Sequence, residues 1–331
     1  MTSAREANVD ADGEGAPAPE RAFLVAAFYK FVALDELARR AESLRALANT
    51  HDVKGTVLLA EEGINSTVSG PEAGVRALLA HLRADPKLAD LEAKLSWAPS
   101  QGFYRFKVRI KREIVTMGIP QVKPAERVGT YVAPHAWDAL VRDPETLVID
   151  TRNSFEFDLG TFERAIDPAT KSFGEFPRWV EETLRPLVAE RKPKHIAMFC
   201  TGGIRCEKAT SYLIEQGFEG VHHLQGGILK YLEDTVPGQG TFRGECFVFD
   251  QRVSVNERLE PGEAILCHAC RMPLRQRDRS LASYVPGVSC HHCIGLHSNE
   301  RRERFAEREH QVALATERGD AHLGKVMPRG G

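Results

Sequence analysis

A short apolar run, Ile196-Ala197-Met198-Phe199, ends on Cys200; Thr201-Gly202-Gly203 follows, and Ile204 and Arg205 open a segment that reads as a helix through Ala209 and Tyr212-Leu213-Ile214. A buried strand running through a glycine turn straight into a helix belongs to a mostly parallel α/β sheet, whose ligands bind at the carboxyl ends of the strands. Cys200 stands at such an end. Gly202 and Gly203 let the loop curl tightly, so its N–H groups point inward at a helix N-terminus beside the Arg205 guanidinium. Each of these features favours thiolate over thiol and cradles an anion. A free cysteine otherwise fills space in a core; the glycine pair and arginine directly after Cys200 argue for a nucleophile. Cys200 and Arg205 are therefore the candidate catalytic residues, with Thr201, Gly202, Gly203, Ile204 and Cys206 as the active-site loop. Cys206 either resolves an oxidised Cys200 as a disulfide or packs the first helical turn.

The same alternation of strands and helices extends over residues 123–240. Val148-Ile149-Asp150 ends one strand, Val221-His222-His223-Leu224 forms another, and Gly226-Gly227 turns into a short helix. Asp150 and Arg152 are supporting residues, expected to hold the loop and the neighbouring strand end by charge-assisted hydrogen bonds.

Residues 21–122 read as an α+β unit. Phe23 to Val32 is a strand, Leu34 to Leu47 an amphipathic helix and Gly55 to Ala60 a strand; Glu61 to Asn65 is a turn, Ser66 to Ser69 a strand, Pro71 to Leu82 a helix, and Phe103 to Met117 the last strand. The order βαββαβ is that of a ferredoxin-like domain, which hosts many unrelated functions. In the last strand Arg105, Lys107, Arg109 and Lys111 alternate with Phe106, Val108 and Ile110, which places the four cations on one exposed face. Such a stripe either guards an edge strand against aggregation or contacts an RNA phosphate backbone. A formal net charge of −2 confines any nucleic-acid surface to a local patch of this kind.

Residues 241–331 form a Cys- and Arg-rich module, with a strand expected over Cys246 to Val255 and a polar helix over Asn299 to Glu317. Cys267-x-x-Cys270 and Cys290-x-x-Cys293 have zinc-ribbon spacing; four thiolates close a tetrahedral, structural site. The competing reading is a reduced or redox-cycling pair, and His268, His291 or His292 could replace a ligand. The arginines at 301, 302, 304 and 308 are expected to pair with neighbouring glutamates along the helix. Residues 1 to about 20, rich in Ala, Glu, Asp, Gly and Pro, read as a disordered tail. Seven cysteines, an odd number, do not suit a secreted disulfide scaffold. No segment is long and apolar enough to span a bilayer, and the stretch from Ala22 to Leu34 lacks signal-peptide flanks. A cytoplasmic, reduced protein with no membrane partner is expected.

Together these segments resemble the rhodanese-domain tRNA uridine hydroxylases. The resemblance runs from Phe23 to Cys293 and rests on Glu62-Gly63-Ile64-Asn65, Lys107 to Thr116, Asp150-Thr151-Arg152-Asn153, Cys200 to Lys208, Leu224-Gln225-Gly226-Gly227-Ile228, Cys246-Phe247-Val248-Phe249-Asp250 and the two CxxC units. It implies oxygen-dependent formation of 5-hydroxyuridine at the tRNA wobble position, molecular oxygen as co-substrate, the anticodon region of tRNA as partner, no DNA partner, and Cys200 at the cysteine persulfide position. Two departures stand out: Thr161 after Gly160, where rhodaneses often carry histidine, and Ser66 after Asn65, where glycine is expected. The residues alone do not reach oxygen chemistry, since they contain no flavin or nicotinamide fingerprint. A persulfide sulfurtransferase, drawing on thiosulfate or a protein persulfide and acting in tRNA thiolation, is the alternative. A phosphatase fits less well, because only four residues separate Cys200 from Arg205; a non-enzymatic RNA adaptor would not need Cys200.

Overall fold

The computed structural model describes residues 22–318; the expected tail at 1 to about 20 lies outside them. The chain begins with β1 (Phe23–Phe31), α1 (Leu37–Thr50), β2 (Lys54–Ala60), β3 (Gly63–Gly70), α2 (Glu72–Arg83), β4 (Ala93–Ala98) and β5 (Phe106–Ile110). Ala41, Leu44 and Ala48 of α1 and Val75, Leu78, Leu79 and Leu82 of α2 recur at helical spacing and are buried on one face of the sheet. α1 starts later than expected because Glu36 takes a left-handed φ of 49°, although Leu34 is still buried.

The sheet order is β4-β1-β3-β2-β5. β4, which the sequence reading missed, completes the βαββαβ unit by pairing antiparallel with β1. Its period-2 pattern is faint: Ala93 and Trp97 pack into the core, Leu95 is 43% exposed, and Lys94 and Ser96 face the other way. The expected last strand, Phe103 to Met117, shrinks to Phe106–Ile110 and becomes an added edge strand parallel to β2. β3 also begins earlier than expected, at Gly63.

The central unit comprises β6 (Thr130–Val132), α3 (Pro134–Arg142), β7 (Thr146–Asp150), α4 (Ser154–Leu159), β8 (Gly160–Phe162), α5 (Phe176–Trp179), α6 (Arg185–Arg191), β9 (His195–Phe199), α7 (Ile204–Glu215), β10 (Val221–Leu224) and α8 (Gly227–Asp234). β6-β10-β9-β7 form the expected parallel sheet. The remainder has only short strands: β11 (Phe242–Gly244), β12 (Cys246–Phe247), β13 (Ser254–Val255), β14 (Ile265–Leu266) and β15 (Pro273–Leu274), followed by α9 (Asn299–Glu317). The strand expected over Cys246 to Val255 is instead a hairpin of β12 and β13. Asp250 turns the chain by accepting the Arg252 N–H at 2.9 Å, and Val253 takes a positive φ of 65°. Among the described residues, α9 lacks the expected Arg–Glu ion pairs: Arg308 donates to the carbonyls of His268 and Gly287, while Arg301 and Arg308 lie over Phe305.

One buried cation ties the first two units together. Lys208, on α7, is fully buried; its Nζ donates to both oxygens of Glu62 at 2.9 Å and to Glu113 Oε2 at 2.6 Å. Burial pushes the Glu113 carboxyl up, but the ammonium of Lys208 and the N–H groups of Met117 and Gly118 more than offset it and leave the carboxyl below its usual 4.5. Lys208→Met should lower the unfolding free energy by about 3–5 kcal/mol, because it strands carboxylates that lose their counter-charge. A depressed carboxylate pKa means that this stabilisation is complete above pH 4.5 and fades as pH falls through the folded-state value. Urea unfolding across the acid range should show that loss in the native protein and a flatter profile in Lys208→Met.

Candidate active site

Cys200 sits where β9 ends, and the loop after it wraps the sulfur with backbone. The Gly203 N–H donates to Sγ at 3.1 Å. Two N–H groups at the start of α8, from Ile228 and Leu229, hold the carbonyls of Cys200 and Thr201 at 2.9 and 3.1 Å. Gly203 has a φ of 106°, and a Cβ there would fall 2.5 Å from the Tyr29 hydroxyl. Gly227 has a φ of 69°, and a Cβ there would fall 2.5 Å from the Cys200 carbonyl oxygen. Neither position accepts a side chain without moving the loop.

Burial alone would push the Cys200 thiol up. The neighbouring Cys206 thiol, the positive charge of Arg205 and the N–H groups of Cys206 and Gly203 outweigh it and bring the pKa down to about 6. Cys206 is pushed up, by burial and by Cys200 itself, and its sulfur lies 3.5 Å from the Thr151 hydroxyl. One thiol is thus ionised at neutral pH while its neighbour keeps its proton and serves as a donor.

Arg205 is not a free anion clamp. Its guanidinium makes a two-pronged contact with Glu156, 2.8 Å on each arm, and Glu156 is fully buried. Glu156 caps α4 through the Asn153 N–H at 3.1 Å and accepts the Thr201 hydroxyl at 3.3 Å. This arrangement disfavours a phosphatase, since a phosphate would have to compete with a carboxylate already in the fork. Asp150 and Arg152 form a second, fully buried pair closed at 2.6 Å, joined by the Gly160 carbonyl and the Thr161 hydroxyl. They brace strand ends and make no hydrogen bond to the Cys200 loop; Thr151 instead donates N–H and hydroxyl to the Phe199 carbonyl. Thr161, a departure from the rhodanese pattern, thus belongs to this brace.

All three parts of the chain build a cavity of about 680 Å³ above Cys200. Cys200, Thr201, Gly202, Ile204 and Arg205 line it; Cys206, Asp150 and Arg152 do not. The helix-free face of the first sheet forms the opposite wall with Val25, Ala27, Tyr29, Thr56, Leu58 and Lys94. Tyr29 donates to Glu207 at 2.8 Å, and Lys94 donates to the Gly202 carbonyl at 2.9 Å. Burial raises the Glu207 carboxyl even though Tyr29 and Tyr131 donate to it. The turn after β12 adds Val248, Phe249 and Asp250, and Arg252 reaches Ser96 of β4 at 3.0 Å. The register pairs Lys107 with Thr56 and Arg109 with Leu58, so β5 carries its cations on the cavity face. Arg105, Lys107, Arg109 and Lys111 are all exposed.

The sequence reading missed Glu156, Tyr29, Lys94, Glu207 and Arg252. Asn153-x-x-Glu156 carries a helix-capping signal that could have revealed Glu156. The others become site residues only through contacts across the fold.

The Sγ atoms of Cys267, Cys270, Cys290 and Cys293 all lie within 4.8 Å of one another and could hold a metal ion. Neighbouring sulfurs are 3.6 to 4.0 Å apart, close to the roughly 3.8 Å edge of a tetrahedron with 2.3 Å metal–sulfur bonds and far beyond the ~2.05 Å of a disulfide. His268 lies against Glu309, while His291 and His292 pack on each other, so no histidine enters the cluster.

The UPF0176 acylphosphatase like domain matches residues 23–114, and the Rhodanese-like domain matches residues 133–234. A tRNA uridine(34) hydroxylase of Synechococcus sp. (strain CC9605) is 56% identical over 87% of this chain and 90% of its own length. Proteins of the same name from Parasynechococcus marenigrum (strain WH8102) and Sinorhizobium fredii (strain NBRC 101917 / NGR234) are 57% and 53% identical, over 87% and 93% of this chain and 92% and 97% of theirs.

Alkylation of Cys200 by iodoacetamide should rise with pH through about 6 and level off above neutrality, with Cys206 and Cys246 silent because burial pushes both up. Peptide mass spectrometry of a labelling series reads this directly. Glu156→Ala leaves the Arg205 charge unbalanced. The Cys200 midpoint should fall below its native value, and the unfolding free energy should fall by about 3–5 kcal/mol.

Proposed function

The chain belongs to the tRNA uridine(34) hydroxylase family, and we propose on that footing that its cavity receives the wobble uridine of a tRNA anticodon and that Cys200 is the nucleophile. The observation that carries this reading is a thiolate with a pKa of about 6 facing a cavity of about 680 Å³, large enough for a nucleoside. A wobble base sits in a single-stranded loop, so seating it costs unstacking but no base pair.

Attack of the thiolate on C6 of the uracil ring forms a C–S bond and moves the C5–C6 electron pair toward C5. C5 is then electron-rich enough to bond to oxygen. Loss of the C5 proton and of the thiolate restores the ring, now carrying a C5 hydroxyl. One atom of molecular oxygen enters the product, and the other leaves as water with two electrons and two protons from a reductant. Tyr29, hydrogen-bonded to Glu207 on the cavity wall, is a proton-handling group for this sequence. Arg205, fixed by Glu156, lowers the thiolate's energy without having to move. The exposed cations of β5, on the cavity face, lead the RNA phosphates toward the site.

For the cysteine cluster we propose zinc, held by Cys267, Cys270, Cys290 and Cys293 as a closed structural site. Zinc supplies folding free energy there and no chemistry at Cys200. The described residues contain no helix long and apolar enough to cross a membrane.

In a deletion strain carrying Cys200→Ser, nucleoside mass spectrometry of bulk tRNA should find the 5-hydroxyuridine derivatives lost; their persistence, or loss of thiouridine instead, would overturn the reading. Metal analysis of the purified protein should find one zinc per chain, and chelation should lower the thermal midpoint. Metal-free protein with an unchanged midpoint would refute the zinc assignment.

A further inference from the structure

Next to the Cys200 cavity, and sharing Thr56, Phe103, Val248, Phe249 and Asp250 with it, lies a groove of about 560 Å³. Three exposed cations line it: Arg105 and Lys107 from the first unit and Arg271 from the cysteine module. The single carboxylate among its lining residues, Asp250, is taken by Arg252 through contacts of 2.9 and 2.6 Å. Five aromatic residues line the wall, and two of them are exposed, Tyr104 at 48% and Phe249 at 55%. Phe249 stands on the divide between groove and cavity, its ring centroid 5.9 Å from the Arg205 guanidinium carbon.

Charge protection of an edge strand accounts for Arg105 and Lys107. It does not account for Arg271, which converges on them from a different part of the chain. Arg271 also holds a positive φ of 67°. Glycine would adopt that backbone without strain, so the guanidinium is what arginine adds. Nor does edge protection explain exposed aromatic rings lining the same groove as the cations. Cations spaced along a groove with stacking surfaces between them are the chemistry of single-stranded nucleic acid binding.

We propose that this groove binds the nucleotide adjacent to the target uridine. Arg105, Lys107 and Arg271 hold its phosphates, Tyr104 stacks on its base, and Phe249 wedges between that base and the uridine in the cavity. This rests on the cavity being the uridine's seat and adds how the neighbouring strand is held. The sugar-phosphate chain leaves the cavity over Phe249, so the groove reads backbone and base plane with little sequence preference.

The test is fluorescence anisotropy with an anticodon stem–loop RNA, intact or lacking the base on one or other side of the wobble uridine. Thermal midpoints of each variant verify folding. Tyr104→Ala should weaken binding of the intact RNA by about 5- to 100-fold and have no effect on one of the abasic RNAs. Arg105→Gln with Lys107→Gln should flatten the salt dependence of log affinity by about 1.4 between about 50 and 200 mM salt, and Arg271→Gln by about half that. Equal loss on intact and abasic RNAs, or native affinity and salt slope in all the variants, would overturn the groove assignment. If the wild-type protein binds none of these RNAs, the uridine-seat reading falls with it. If hydroxylation still depends on Cys200 while groove variants bind like wild type, the groove assignment and the phosphate role of Arg105 and Lys107 fall, and the uridine seat stands.

Discussion

The Lys208 ammonium, enclosed by Glu62 and Glu113, is the contact on which the remaining architecture turns. It sits on α7, the helix that begins with the Cys200 loop, and its partners belong to the first unit. A charge so buried tolerates little displacement, because leaving either carboxylate exposes unpaired charge to a poor solvent. Its rigidity holds the open face of the first sheet opposite β9 and α7. The cavity above Cys200 takes its walls from both units. The site exists because two faces are held at a fixed separation and the turn after β12 closes the remaining side.

Within the site, charges are balanced in a chain. Glu156 neutralises Arg205 and fixes its direction; Arg205 then stabilises the Cys200 thiolate without being drawn off by solvent anions. Cys206 stays protonated because it is buried and its neighbour is ionised. Asp150 and Arg152, with no side-chain exposure, compensate each other at the strand ends. The outcome is one thiolate whose pKa is set mostly by fixed groups, which is what a nucleophile at neutral pH requires.

Local chemistry was legible in the sequence to the extent that neighbours in the chain determine it. The Cys200 loop, the parallel sheet and the two cysteine pairs all follow from spacing over a few residues. β4 was not legible, because its alternation is carried by few apolar residues and its polar face, Lys94 and Ser96, turns inward to a cavity and not to water. Tyr29 likewise resembles any strand aromatic until β1 is seen facing Glu207. The hairpin of β12 and β13 looked like one strand because a turn made by an aspartate and an arginine, without glycine or proline, gives no strong breaker. The α9 arginines followed tertiary contacts in preference to their helical neighbours.

The position of the cavity's closing segment in the chain has a consequence for biosynthesis. Val248, Phe249 and Asp250 lie beyond the entire Rhodanese-like match at residues 133–234. A growing polypeptide therefore gains the Cys200 loop and Arg205 before the segment that covers them. Until then the pocket stays unroofed, and a product cut short after the second unit would lack both that cover and the Phe242, Cys246 and Val248 side chains that complete the core around Phe199 and Leu224.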